Sequence, residues 1–401
     1  MTTLSIEARS SSSINLPVLV LARICTTAIF MTYPACLSVL LVEWQMSATK
    51  AGIVQGTFTA VFAVSLLVAS FLCDRIGAKR VFNIATMLAA ISAVLFALFA
   101  TSFESAVGLI ALVGLSQGGT YTPAIMLVSA NTPKTRTASA VGWVLAGMSL
   151  GYVISIFLST AAMSLYGYQA AFLSTALITV AGWGLGLLAV RRARDQTEEP
   201  DATQPTTESF LPRRARLLTL GYIGHCWELF GAWTWIPAFL AAAILTKGKM
   251  SAIELGLWTA LALHLSGFFS SFLSGYAADR FGVRRVLIAF ALLGAACSLS
   301  IGWLDNAGVV LLIALAAVYG FAIIGDSSVL SAAMTHAVPP ERLGRVLGVR
   351  SVLGVGAGAV APIAFGLTLD LVPQAMAWGS AFSILAVGGG VAVICAVLLP
   401  R

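Results

Sequence analysis

Long apolar runs alternate with short polar ones almost from one end of this chain to the other. Twelve such runs can be marked, at roughly 17–41, 51–73, 81–101, 106–130, 138–163, 168–190, 217–245, 252–276, 286–304, 308–334, 346–369 and 375–399. Each has about the 20 residues that an α-helix needs to cross a hydrocarbon core, so twelve transmembrane helices are predicted and no soluble domain. One long polar gap, 191–216, interrupts the series after the sixth run. It holds Pro200, Pro205 and Pro212 with six cations and five acids, a composition poorly able to bury surface, and reads as a tether. The expected organisation is therefore a six-helix half over 1–190, a linker over 191–216 and a second six-helix half over 217–401.

The two halves repeat one another. Asp74-Arg75-Ile76-Gly77-Ala78-Lys79-Arg80 lies between the second and third runs, and Asp279-Arg280-Phe281-Gly282-Val283-Arg284-Arg285 lies between the eighth and ninth, 205 residues later. Gly77 and Gly282 suit a reversal that needs positive φ, and the cations suit a loop at the headgroups. Pro133, Arg136 and Gly142 recur as Pro339, Arg342 and Gly348. Pro34 in the first run and Pro237 in the seventh predict a matched kink. Gly142, Gly147 and Gly151, with Gly354, Gly356 and Gly358, predict close helix approach across the interface between the halves.

Composition agrees with this reading: 59% of residues are hydrophobic and 10% charged, against about a quarter charged in soluble domains. Of 23 Lys and Arg, nineteen fall on the side shared by both termini and both repeated loops. Lys50, Lys247 and Lys249 fall opposite, and Arg23 lies inside the first run. An excess of cations on one side marks it as cytoplasmic, so the net charge of +7 is a matter of topology and does not indicate nucleic-acid binding. The first fifteen residues lack an apolar core followed by a small-residue cleavage site, and no cleaved signal is expected. Six cysteines in apolar surroundings without C-x-x-C spacing are expected to be free.

The pattern G-x-x-x-D-R-x-G-x-[KR]-[KR], complete from Gly275 and altered only by Ser70 in the first copy, resembles the signature loop of the major facilitator superfamily of secondary transporters. The resemblance extends over the whole layout and implies alternating access between two pseudo-symmetric halves, with the first, fourth, seventh and tenth helices around a central cavity. It implies a gating role for Asp74, Arg75, Gly77, Arg80, Asp279, Arg280, Gly282 and Arg285. Two features of the family's drug exporters are missing: Tyr152 stands where a proline would follow Gly147-x-x-x-Gly151, and Gly114 stands where an arginine would precede Gln117-Gly118.

Charged side chains inside a bilayer cost at least ~2.5 kcal/mol each, so each implies a partner, water or a function. His225 and Glu228 are three apart in the seventh run and share a helix face, Glu228 at roughly 17 Å from the inner end. Desolvation disfavours the charged form of a carboxylate, so Glu228 is a candidate proton carrier; an internal pair holding the helix is the alternative. Trp227 is a candidate for stacking on an organic solute or closing a gate. Arg23 either snorkels to the surface or offers a positive charge to an anion. His264 could face the same cavity or bond a neighbouring helix, and Gln117 and Tyr121 could hydrogen-bond a solute. Asp326 is expected to pair with Arg350 as a structural or gating contact. The resulting expectation is a proton-coupled symporter of a small organic anion or zwitterion, monomeric and without cofactor or bound metal, in a bacterial inner membrane with both termini cytoplasmic. A proton-driven efflux pump for amphipathic compounds is the first alternative, a soft-metal importer the second.

Overall fold

The computed structural model describes residues 14–195, 211–248 and 250–400. The first thirteen residues and most of the expected tether lie outside that range. Among the described residues there is no strand. The first span is two helices, α1 (Leu16–Thr27) and α2 (Thr32–Glu43). α3 (Ala48–Ile76), α4 (Ala78–Phe99), α5 (Phe103–Asn131), α6 (Lys134–Tyr166) and α7 (Tyr168–Val190) complete the N-terminal six spans. The C-terminal six are α8 (Arg213–Ile244), then α9 (Ala252–Ala260) joined through a π-helical turn (Leu261–Leu265) to α10 (Ser266–Phe281), then α11 (Val283–Ile301), α12 (Val309–Thr335), α13 (Pro340–Leu371) and α14 (Gln374–Leu398). Eleven of these twelve spans are long and apolar enough to cross a membrane by themselves. α5 is less apolar, because its middle reads Ser116-Gln117-Gly118-Gly119-Thr120-Tyr121-Thr122. A membrane helix can carry such a stretch when it faces protein or a water-filled path.

The repeated loops turn as their glycines suggest. Gly77 (φ 89°) and Gly282 (φ 88°) each end one helix and begin the next. The expected matched kink is found on one side only. The first span breaks at residues 28–31, just before Pro34, whose ring removes an intrahelical bond, and Ser155 Oγ of α6 accepts the stranded Met31 N–H at 3.1 Å. α8 runs unbroken through Pro237.

The small residues also act differently from expectation. Gly147 and Gly151 of α6 pack on Val20, Ile24 and Thr27 of α1, and Gly354 and Gly358 of α13 pack on Tyr222, Cys226 and Phe230 of α8. These approaches are within a half. The halves meet instead through Gly52 and Gly56 of α3 against Ala359, Pro362 and Ile363 of α13, and through Gly256 of α9 against Thr160 of α6. Asp370 of α13 caps α3 by accepting Ala48 N–H (2.9 Å), Thr49 N–H (2.8 Å) and the Thr49 hydroxyl (2.6 Å).

All these contacts lie on the side away from the signature loops. There, one continuous apolar core mixes residues of both halves, among them Phe30, Phe58, Tyr152, Phe239, Phe365 and Phe382. Towards the loop side the core splits. One cluster belongs to the N-terminal half (Leu19, Phe82, Leu127, Ala189) and another to the C-terminal half (Leu218, Leu287, Leu330, Val346). A cavity of about 230 Å³ opens there beside Asp74, Ala78 and the last turns of α5. The apolar core is thus shared by the halves on the far side and divided between them towards the loops, where Gly348 of α13 still lies against Leu67 of α3. The six cysteines are free.

Candidate functional site

Among the described residues, buried charge in the N-terminal half comes from one residue. Arg23, 1% exposed, does not snorkel: its Nη1 donates to Thr120 Oγ1 of α5 at 2.6 Å, and its Nε has no partner among the described residues. Gln117, one turn along α5, donates to Thr26 O of α1 at 2.9 Å, which ties the two helices together around the guanidinium. Tyr121 follows Thr120, and its phenol has both Arg23 and Arg350 as electrostatic neighbours. Two guanidinium groups from opposite halves therefore act on one phenol. Neither has a carboxylate within 4.0 Å among the described residues.

The expected Asp326–Arg350 pair does not form. Arg350 lies over the Tyr222 ring, 3.9 Å from its centroid, and donates to Ser331 Oγ at 3.1 Å and to Leu330 O at 3.4 Å. Asp326 pairs with His225 instead, Oδ1 to Nδ1 at 2.8 Å. Nor do His225 and Glu228 act as a unit. Residues three apart on a helix differ by about 60° in direction, and here that angle decides the neighbour: His225 meets α12, while Glu228 enters a niche between α11, α12 and α14.

The Glu228 niche is built by glycine. A methyl group at Gly389 of α14 would lie 2.9 Å from one carboxylate oxygen, and one at Gly294 of α11 would lie 3.3 Å away. Ser298 Oγ donates to Glu228 Oε1 at 2.5 Å, and the Tyr319 hydroxyl lies 2.5 Å from Ser298 Oγ. The partners are hydroxyls and no cation is among them, inside the C-terminal half and away from the junction. Trp227 is also turned from the junction: its indole N–H donates to Ile384 O of α14 at 3.1 Å.

The aromatic residues at the junction are Phe30 of the broken first span, Phe58, Tyr152, Trp233 and the imidazole of His264. Tyr152 lies 5.6 Å from Trp233 and 5.2 Å from His264, Trp233 lies 5.1 Å from His264, and Phe30 lies 4.9 Å from Tyr152. Tyr152 and Trp233 are not among the residues singled out from the sequence, because nothing local tells which aromatic residues of a span face the junction. The one available signal was Tyr152 in the place of the exporters' proline. Gly114 packs on the Phe58 carbonyl, with no room for the side chain that exporters carry there. Cys226 lies beside Gly354 of α13, whereas His264 keeps to the aromatic group.

In the signature loops, Asp195 of the linker accepts Lys79 N–H at 2.8 Å and closes over Gly77, while Lys79 Nζ donates to Arg191 O (2.9 Å) and Ala193 O (3.3 Å). In the second copy Arg284 donates to Val397 O at 2.6 Å, and none of the described residues lies over Gly282. Asp74 lines the loop-side cavity. Asp279, Arg75, Arg80 and Arg280 are exposed, as befits loops at a headgroup surface.

Against curated proteins, the chain is 26% identical over 387 residues to a benzoate transport protein of Acinetobacter baylyi, covering 84% of this chain and 79% of the relative. It is 25% identical over 344 residues to the cis,cis-muconate transport protein of the same organism, covering 81% and 79%. It is 23% identical over 357 residues to the probable anion transporter 6, chloroplastic, of Arabidopsis thaliana, covering 82% and 68%. Among solved structures, a mutant of the nucleoside transporter NupG superposes with a TM-score of 0.78 at 16% identity, covering 96% of this chain and 99% of that one. A bacterial homolog of the human lysosomal transporter Spinster, inward-facing and unoccupied, gives 0.71 at 16%, covering 95% of each. The sequence pattern of the Major Facilitator Superfamily matches residues 19–248 and 218–401. With twelve spans, a repeated loop on each half and that match across both, the chain belongs to the Major Facilitator Superfamily and is a transporter, not an enzyme.

Proposed function

We propose that this transporter carries small organic acids as anions and that a proton moves with them. The observation that carries the reading is the pair of buried guanidinium groups, Arg23 and Arg350, which come from opposite halves, share Tyr121 as an electrostatic neighbour and have no carboxylate within 4.0 Å among the described residues, Asp326 being a more distant neighbour of Arg350. A cation desolvated in a membrane protein needs compensation, and guanidinium matches a carboxylate with two parallel hydrogen bonds. An anion between the halves would supply that compensation and would feel both halves move. The relatives named for benzoate, muconate and anion transport support this class of cargo. The ring-lined junction suits a planar, unsaturated acid over a compact inorganic one. The same rings would also suit an exporter of amphipathic compounds, but two buried cations without a carboxylate within 4.0 Å among the described residues favour an anion.

Proton coupling rests on Glu228, a buried carboxylate satisfied by hydroxyls rather than by a cation. Such a group can exist charged or protonated without breaking an ion pair. Because the niche is separate from the guanidinium pair, coupling would act through the packing of α8 against α11, α12 and α14, with no direct contact to the cargo. By the positive-inside argument, the loop side is cytoplasmic.

The test is uptake of radiolabelled benzoate and cis,cis-muconate into proteoliposomes with and without an imposed pH gradient. Accumulation that follows the gradient is expected. Transport indifferent to the gradient would leave a uniporter, and no transport of either acid would remove the organic-anion assignment.

A further inference from the structure

The guanidinium pair explains how one end of an acid could be held, but it leaves a second group of unsatisfied polar atoms at the junction. Both ring nitrogens of His264 and the indole N–H of Trp233 are buried without a hydrogen-bond partner among the described residues. His264 is 1% exposed. Buried donors and acceptors without partners are costly enough to be rare in native proteins. Three within two touching rings, 5.1 Å apart between centroids, call for a ligand.

The local backbone singles out the same place. His264 sits in the π-helical turn Leu261–Leu265, between α9 and α10. Such turns inside α-helices are frequent at functional sites, because the extra residue re-aims a side chain. Tyr152 connects this group to the first anchor: its ring lies 5.2 Å from His264, and its phenol is an electrostatic neighbour of Arg23. Tyr152 thus lies between the two polar groups, within a cluster of rings contributed by Phe30 and Tyr152 from the N-terminal half and by Trp233 and His264 from the C-terminal half.

Resting on the organic-anion reading, we propose that His264 and Trp233 form a second polar subsite that takes a hydroxyl group on the end of the acid remote from its carboxylate. The chemistry chooses the hydroxyl. Trp233 can only donate, whereas an imidazole with one proton offers a donor and an acceptor. A hydroxyl accepts from the indole N–H and donates to the free imidazole nitrogen. A second carboxylate would bring a charge to rings with no cation among their contacts, and an unsubstituted ring would leave all three nitrogens unsatisfied. Because the subsite is assembled from α8 and the α9–α10 turn against rings of the other half, filling it stabilises the arrangement sealed on the far side.

The measurement is equilibrium binding of benzoate, 4-hydroxybenzoate and terephthalate to the purified full chain, by isothermal titration or tryptophan fluorescence. Two neutral hydrogen bonds should make 4-hydroxybenzoate bind about tenfold more tightly than benzoate, with terephthalate weakest. In His264→Phe, which keeps a ring and removes both nitrogens, the ratio between hydroxybenzoate and benzoate should fall to about one; Trp233→Phe should reduce it part-way. Equal affinities of the wild-type protein for benzoate and 4-hydroxybenzoate, or a preference for terephthalate, would overturn the subsite while leaving the anion site standing. A preference that survives in His264→Phe would overturn it too. The wild-type comparison decides the matter even if a variant fails to fold, and failure of all three acids to bind would remove the organic-anion reading and this subsite with it.

Discussion

The two halves of the molecule put opposite charges at matching places. Arg23 and Glu228 are 205 residues apart, the same offset that separates the signature loops. Each is buried, and each is held by a hydroxyl rather than a counter-charge: Thr120 for Arg23, Ser298 for Glu228. Their surroundings differ. Arg23 is shared between α1 and α5 next to the junction, with Tyr121 and Arg350 nearby. Glu228 is enclosed within its own half behind Gly294 and Gly389. A duplicated scaffold can thus set the depth of a charge while neighbouring helices decide whether it meets the cargo. The N-terminal position suits an anion, and the C-terminal one suits a proton.

The strongest way to break this comparison is to remove the cation. Arg23→Gln keeps hydrogen-bonding capacity and loses charge, and the loss of one member of a buried ionic contact is worth roughly 3–5 kcal/mol, a factor of ~100 or more in affinity. Benzoate binding should fall by at least that factor, measured by titration calorimetry. Arg23→Lys should recover part of it, since an ammonium cannot make the two-pronged contact. Affinity retained in Arg23→Gln would show that the N-terminal charge is structural.

Next comes the carboxylate. Glu228→Gln resembles the protonated acid and can still accept from Ser298. Counterflow exchange of labelled benzoate should persist, while accumulation against a gradient should drop by about tenfold or more. A fall in affinity before any loss of coupling would place the cargo at Glu228 and abolish the division of labour between the halves. A lower melting temperature with coupling intact would make the residue a packing element only.

How much of this was legible in the sequence follows from what each feature depends on. Span count, the repeated loops and the positive φ of Gly77 and Gly282 follow from local composition, and the structure has them. The helices on which Arg23, Gln117 and Tyr121 lie were legible for the same reason. Partners across the bundle were not. His225 and Glu228 share a helix face, yet 60° of rotation sends one to Asp326 and the other to Ser298. That the indole N–H of Trp227 would find its partner in Ile384 of α14 was equally out of reach. The glycines of α6 and α13 were visible as contact sites, but which helix they would touch depends on tertiary packing that no local pattern records.

A smaller effect should follow from opening the far-side seal, which sharpens the comparison by changing the balance of states without touching either buried charge. Asp370 caps α3 from α13 through three hydrogen bonds, and a lost cap is worth ~1 kcal/mol. Asp370→Ala should shift the population about fivefold towards the state open on the far side. Spin-label distances between the far ends of α3 and α13 would record it as growth of a longer-distance population. No change in the distribution would mean that glycine packing at Gly52 and Gly56 holds the seal unaided.

The smallest expected effect tests why the two signature loops, so alike in sequence, are dressed differently. In the N-terminal half Asp195 sits over Gly77 and accepts Lys79 N–H at the start of α4, where an anion is favoured by the unpaired amides of the helix terminus. Asn131 of α5 completes the strap by accepting Arg194 N–H at 2.8 Å and donating to Arg194 O at 3.0 Å. Among the described residues Gly282 has no such cover. The strap fixes the first residues of the linker to the N-terminal half, so it should move with that half as a rigid unit. Asp195→Ala removes an exposed, helix-capping contact worth a few tenths to ~1 kcal/mol, and a shift of about 1–3 °C in melting temperature is expected, with affinity for benzoate unchanged. Hydrogen exchange should quicken at residues 191–195 and at the start of α4, and should stay as it was at Gly282 and the start of α11. Equal quickening at both loops would mean that the linker couples the halves instead of belonging to one of them.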